Sequence, residues 1–139
     1  YTSWPSLFSI RVGSNYHTGS DGQTRTVSKI TMHPNYNSRT NDFDMALLEF
    51  PALSSSSNIG YICLPPTNVD PFRTNDNLVA IGWGVLASGS SISPSALRQV
   101  TVQAVASNAQ SCINGEISNT NVQFCAGVSG GGKGKLFSA

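Results

Sequence analysis

Alternating apolar and polar residues predict several β-strands along the chain. The clearest run covers residues 97–106, where valine or alanine stands at 100, 102, 104 and 106 and glutamine or threonine stands at 99, 101 and 103. A period of two places the apolar side chains on one face of a strand. Shorter strands are predicted at 9–12, 24–33, 45–48, 78–84 and 122–127. Within 24–33, Val27 and Ile30 have opposite parity, so we expect a bulge between them.

Turn-forming residues separate these strands. Segment 13–22 is rich in Gly, Asn and Asp, and segment 67–77 contains Pro71, Asn75, Asp76 and Asn77. These residue types favour turns. Pro34 ends the strand before it because proline has no N–H to donate to a sheet. Ser107 is a suitable N-cap, so we predict a short helix near 107–112. Many short strands and a single short helix indicate an all-β fold.

Composition narrows the class of protein. The 139 residues suffice for one modest domain, and only 11% of them are charged. Ser, Thr, Asn and Gly are typical of the surfaces of secreted β proteins. A net charge of +1 without blocks of like charge gives no indication of a nucleic-acid partner. The longest apolar stretch, 78–87, is interrupted by glycines and is too short to be a transmembrane segment.

The start of the chain and its cysteines suggest a larger context. The chain begins at Tyr1 and shows no signal peptide, so we expect the sequence to begin inside a longer protein. Cys112 and Cys125 are close enough in sequence to close a short loop, whereas Cys63 has no evident partner. An odd count in a secreted protein indicates a partner outside the chain or a free thiol. The alternative is three reduced thiols in a cytosolic protein.

Three residues are candidates for catalysis. Asp44 stands directly before the apolar run 45–48, where a carboxylate at the mouth of a buried strand must be met by donors to stay ionised. Base rates favour a simpler role, in which its side chain caps the turn before the strand. His17 lies in a polar loop and is predicted to be solvated. His33 lies at a strand end, where a capping or surface role is favoured.

Residues 127–133 have the spacing of a phosphate-binding loop, a glycine followed after four residues by Gly-Lys. The next residue is Gly134, where a Ser or Thr would be needed to hold magnesium. Only five residues remain for the helix that should follow. We therefore expect no nucleotide here, and the sequence indicates no other cofactor and no metal site.

The order of several segments resembles that of trypsin- and chymotrypsin-like serine proteases. The segment Asp-Met-Ala-Leu-Leu, which starts at Asp44, is similar to the Asp-Ile-Ala-Leu-Leu of that family. A His-Pro-x-Tyr turn precedes it at residues 33–36. Three further matches follow in the family's order: Cys-Leu-Pro at 63–65, Gly-Trp-Gly at 82–84 and Phe-Cys-Ala-Gly at 124–127. The resemblance covers nearly all of residues 1–133.

This resemblance implies a trypsin-like double antiparallel β-barrel, which is incomplete in this chain. Residues 1–133 would be a partial protease domain holding the end of the first barrel, the linker and the start of the second. Residues 134–139 would be a divergent tail. The resemblance also implies an extracellular location and a polypeptide substrate or inhibitor as partner.

The same resemblance implies roles for individual residues. Asp44 would orient a catalytic histidine and stabilise its imidazolium. Cys112 and Cys125 would form a disulfide, and Cys63 would be unpaired or paired with a cysteine outside the chain. Gly134 would occupy the position of the trypsin-type specificity aspartate.

Two family segments that carry the other catalytic residues do not occur in the sequence. An Ala-Ala-His-Cys segment is expected immediately before Tyr1, and a Gly-Asp-Ser-Gly-Gly-Pro segment is expected soon after Lys133. Ser138 lacks the flanking glycines of a nucleophile. We therefore expect a fragment or truncated product of a secreted serine endopeptidase that is inactive as given. The alternative is a non-catalytic homologue that serves as a binding module.

Overall fold

The computed structural model of the chain describes residues 3–67, 69, 72–87, 89–114, 117 and 119–128. Within them, strands predominate and one short α-helix occurs, which confirms the predicted all-β class. In chain order the elements are a 3-10 helix at Pro5–Leu7, β1 Ser9–Val12, β2 Gln23–Thr26, β3 Lys29–Met32, β4 Ala46–Glu49, β5 Asn77–Gly82, β6 Arg98–Val105, α1 Gln110–Ile113 and β7 Cys125–Gly127.

The strands pair antiparallel in three small sheets. The first half of the molecule contains the pairs β1–β2 and β3–β4, and the second half contains the sheet β5–β6–β7 beside α1. The described residues form no closed barrel. This arrangement is consistent with the incomplete barrels that the resemblance implies.

The chain changes strand partner at Val27 and Ser28. The Val27 N–H donates to the Phe8 carbonyl at 2.9 Å, and the Ser28 N–H donates to the Glu49 carbonyl at 2.8 Å. The Val27 side chain turns inward and is 1% exposed. The single bulged strand predicted for 24–33 is therefore wrong, because the change of parity marks a corner between two sheets.

The alternation predicted for β6, the central strand of the second half, is confirmed. Val102 and Ala104 are buried, whereas Thr101 and Gln103 are exposed. Burial of the apolar face is what stabilises a strand with this pattern.

The helix α1 begins later than the sequence predicts. Its N-cap is Ala109, which makes no side-chain capping hydrogen bond. The Ala109 N–H donates to the Ala106 carbonyl at 2.9 Å, so Ser107 lies in a turn that precedes the helix. The predicted N-cap role of Ser107 is wrong for this reason.

Polar side chains of β2 hold the segment that follows β4. Gln23 donates from Nε2 to the Ser54 carbonyl at 2.7 Å and accepts from the Ser54 N–H at 2.8 Å. Arg25 donates from Nε to the Ala52 carbonyl at 3.1 Å. These hydrogen bonds hold the segment after β4 against β2.

The loop between β1 and β2 contacts the second half. The Asn15 carbonyl accepts hydrogen bonds from the Leu97 N–H at 2.6 Å and from Trp83 Nε1 at 3.2 Å. The His17 N–H donates to the Ser95 carbonyl at 3.2 Å. The Gly-Trp-Gly tryptophan therefore helps to join the two halves.

Among the described residues, no helix is long and apolar enough to cross a bilayer. Residues 129–139 lie outside the described part of the chain. They include most of the segment that resembles a phosphate-binding loop, together with Gly134 and Ser138. The boundary predicted at residue 133 also falls there and stays a prediction.

Gly22 offers a test of the turn that leads into β2. Its φ is +76°, and a Cβ at this position would lie 2.6 Å from the Val12 carbonyl oxygen. Because strain and clash both oppose a side chain, we expect Gly22→Ala to lower the free energy of unfolding by about 1–3 kcal/mol. Gly60, which has no atom within 4 Å of its added Cβ, is the control, and Gly60→Ala should change stability by less than about 0.5 kcal/mol. Equal effects in chemical denaturation would contradict this assignment.

Candidate active site

Asp44 lies two residues before β4, near the end of the loop of residues 33–45, called here the acid loop. Two non-glycine residues close to Asp44 have left-handed backbones, Asn41 with φ 54° and Phe43 with φ 53°. Such conformations are uncommon away from glycine and tend to be retained at functional sites. The backbone that leads to Asp44 is therefore tightly turned.

The Asp44 side chain is exposed. Its carboxylate accepts no hydrogen bond from the described residues, so it does not cap the turn within them. The expectation that donors must meet this charge assumed a buried strand, whereas β4 is exposed along its length. Its partner β3 is also largely exposed, so little of the described chain packs on the faces of this pair.

His33 closes the base of the acid loop. Its N–H donates to the Met45 carbonyl at 2.9 Å, and its Nδ1 accepts from the Asn35 N–H at 3.2 Å. The imidazole also stacks on Phe43, with the ring centroids 4.6 Å apart and the planes 4° from parallel. These contacts match the capping role predicted for His33, and its ring does not hydrogen-bond to Asp44.

Gln123, from the second half, holds the side of the acid loop. It is 5% exposed, and its Nε2 donates to the Thr40 carbonyl at 2.8 Å. Its Oε1 accepts from the Asn119 N–H at 3.2 Å. Sequence reasoning placed Gln123 in a strand at 122–127, but β7 begins at Cys125 and the Gln123 N–H instead donates to the Asn119 carbonyl at 3.0 Å. The one feature of the sequence that could have pointed to Gln123 is its polar amide within an apolar run.

The disulfide that the resemblance implies is present in the structure. Cys112 and Cys125 form a disulfide, with Cα atoms 5.9 Å apart and both residues buried. Cys63 is exposed and carries a free thiol. The disulfide links α1 to β7 across a separation of 13 residues.

The described residues contain no cluster of three or more His, Cys, Asp or Glu side chains suited to a metal ion. An apolar cavity of about 360 Å³ opens between the two sheets of the first half. A second cleft, of about 390 Å³, lies where the halves meet beside Asn15. Asp44 lines neither of them.

A comparison of the sequence with known families decides the classification. The family described as Trypsin matches residues 2–135. The chain belongs to the trypsin family. With this membership, the strand order, the disulfide and the exposed acid before β4 describe a serine protease-like protein.

Several curated members of the trypsin family are similar to the chain. It is 35% identical to Trypsin Blo t 3 of Blomia tropicalis over 127 residues, which are 88% of this chain and 47% of that protein. It is 35% identical to Trypsin delta of Drosophila melanogaster, covering 90% of the chain and 49% of the relative. Trypsin-3 of Salmo salar is 30% identical, with coverages of 94% and 54%. The chain therefore spans about half the length of these relatives.

The disulfide yields a prediction on redox state and stability. Peptide mapping of the oxidised chain should find Cys112 joined to Cys125 and Cys63 open to alkylation. Because the bridge restricts the unfolded chain, replacing Cys112 and Cys125 by Ser should lower the free energy of unfolding by about 3 kcal/mol. Cys63→Ser is the matched control and should change it by less than about 0.5 kcal/mol. A bond from Cys63 to either other cysteine would refute the assignment.

Proposed function

We propose that the chain is part of a secreted serine endopeptidase in which Asp44 is the acid of the catalytic triad. The substrate is a polypeptide, and the reaction is hydrolysis of a peptide bond through an acyl-enzyme. The observation that supports this most directly is the Asp44 carboxylate itself. It stands before β4 in a segment that resembles the family's, is exposed, and has no hydrogen-bond partner among the described residues.

The role of Asp44 follows from the chemistry of the triad. A histidine takes the proton of the attacking serine as general base, and the acid accepts a hydrogen bond from the other ring nitrogen. This bond holds the imidazole in the productive tautomer and stabilises the imidazolium that forms. Because the Asp44 side chain is exposed, its carboxylate is open to the approach of a histidine.

We propose that segments outside residues 1–139 supply the histidine and the serine. The printed sequence has neither an Ala-Ala-His-Cys nor a Gly-Asp-Ser-Gly-Gly-Pro segment. A non-catalytic homologue would typically retain both segments and replace single residues within them. The acid of the triad is retained at Asp44, which favours the protease, and the residues at those His and Ser positions decide between the two.

Determining the coding sequence on both sides of the 139 codons tests this proposal. Ala-Ala-His-Cys upstream and Gly-Asp-Ser-Gly-Gly-Pro downstream would support it. Substitutions at those His and Ser positions would overturn it and favour a homologue that binds polypeptides without cleaving them.

The 139-residue polypeptide alone should hydrolyse no peptide substrate above the background of inert protein. Loss of a triad nucleophile or base lowers turnover by a factor on the order of 10⁶. Incubation with a fluorogenic peptide and a serine-directed covalent inhibitor measures this. Activity of the pure chain that titrates with the inhibitor would contradict the prediction.

In the complete enzyme, Asp44→Asn should lower turnover by about 10⁴-fold, because the amide favours the wrong histidine tautomer. In the 139-residue chain the same change should alter the free energy of unfolding by less than about 0.5 kcal/mol, since the exposed carboxylate has no partner to lose. Asp21→Asn, at another exposed acid, is the control and should leave turnover unchanged. A lowering by several degrees of the melting temperature of the chain on Asp44→Asn would mean that its carboxylate has structural partners.

A further inference from the structure

The geometry points to Gln123 as a positioning residue for Asp44, one that ties the acid loop of the first half to the disulfide-bonded loop of the second. The catalytic meaning of this tie rests on the proposed function. The tie itself stands on contacts that can be measured without activity.

The side-chain amide of Gln123 is engaged at both ends. Nε2 donates to the Thr40 carbonyl at 2.8 Å, and Oε1 accepts from the Asn119 N–H at 3.2 Å. The residue is 5% exposed, so water has little access to either bond. A hydrogen bond in dry surroundings is stronger than one in water, and losing it leaves a buried group unpaired. An apolar side chain of similar size would fill the space without making this bond.

The second half provides a firm anchor for Gln123. Two residues further on, Cys125 is bonded to Cys112 of α1. The intervening Phe124 packs on Phe72, with ring centroids 4.6 Å apart. The backbone on the Gln123 side of the tie is therefore restrained by a covalent bond and by an aromatic contact.

On the other side, the tie acts close to the catalytic acid. Thr40 is separated from Asp44 by three residues, of which Asn41 and Phe43 have left-handed backbones. The same turn is closed by the Asn37 N–H, which donates to the Asp42 carbonyl at 3.1 Å. A shift of the Thr40 carbonyl therefore moves a short, tightly turned segment that ends at Asp44.

This placement matters because the acid and the nucleophile belong to different halves. In the proposed enzyme the serine segment follows residue 133 in sequence, so it comes after Gln123 in the same half of the chain. A displacement of about 1 Å between catalytic groups can lower the rate roughly 100-fold. Gln123 supplies a direct bond from the second half to the loop that carries the acid.

The test compares three variants of the full 139-residue chain. Gln123→Leu removes the tie, Gln123→Glu makes it depend on protonation, and Gln103→Leu changes an exposed glutamine on β6. Hydrogen exchange of the Asn37 amide reports on the acid loop, and amides of the β1–β2 pair report on the rest of the first half. Gln123→Leu should lower the protection of Asn37 about tenfold while that of β1–β2 changes less than about twofold. Gln103→Leu should change neither.

The glutamate variant shows whether the side chain at position 123 acts through its hydrogen bond to the Thr40 carbonyl or only by filling space. A protonated carboxyl can donate to the Thr40 carbonyl and restore the protection of Asn37, whereas a carboxylate cannot. Protection in Gln123→Glu should therefore be close to wild type at low pH and fall as the pH rises. Wild type at the same pH values is the control for the ionisable side chains of the acid loop itself, which are His33, Tyr36, Arg39, Asp42 and Asp44.

The ¹³C chemical shift of the Asp44 carboxyl carbon links the tie to the acid. It should move in Gln123→Leu and not in Gln103→Leu. Equal protection of Asn37 in the two leucine variants, an unmoved Asp44 signal, or a glutamate variant without pH dependence beyond wild type would each overturn the inference. None of these readouts requires proteolysis, so failure of the proposed function would be seen separately, in the coding sequence and the peptide assay.

Discussion

The disulfide between Cys112 and Cys125 is the constraint on which the second half depends. It joins α1 to β7, and both cysteines are buried together with Val102 and Ala104 of β6. Closing a loop of 13 residues restricts the unfolded chain by about 3 kcal/mol on the entropic estimate. Gln123 lies inside that loop, so the bridge that stabilises the sheet also restrains the backbone from which the Gln123 amide reaches Thr40.

The described residues of the first half form no comparable cluster of buried side chains, since Val27 is the one buried apolar residue among them. Its strands are held by hydrogen bonds at the Val27 corner and along β2, while Leu47 on β4 is 73% exposed. The ion pair between Lys29 and Glu49, at 2.8 Å, is exposed and therefore adds little to the stability of the fold. The bond from Gln123 to the Thr40 carbonyl therefore gives the acid loop a restraint from the better-packed second half.

Local signals in the sequence predicted local structure well. The two faces of β6 follow from alternation alone, because each residue's face depends only on its parity. The corner at Val27 was predicted as a bulge because a bulge and a corner produce the same change of parity in the sequence. Only the strands that pair on either side of Val27, which are distant in sequence, distinguish the two. Asp44 was found through resemblance to a family and not through pattern. Gln123 escaped prediction because its partner Thr40 is 83 residues away in sequence.

The exposure of Asp44 bears on how the proposed enzyme would obtain catalysis from this acid. Two unit charges 4 Å apart attract by only about 1 kcal/mol in water and by about 4 kcal/mol at the effective dielectric constant of a protein surface. An Asp44 carboxylate as open as it is here would therefore stabilise an imidazolium weakly. In the proposed enzyme, a segment that brought the histidine and covered the acid would strengthen this attraction, and the neighbouring apolar side chains of Met45 and Leu47, 71% and 73% exposed, offer it a surface to bury. The same contact would then bury β4 and strengthen the attraction between the Asp44 carboxylate and the imidazolium. The contribution of the acid loop itself would be to hold Asp44 in position.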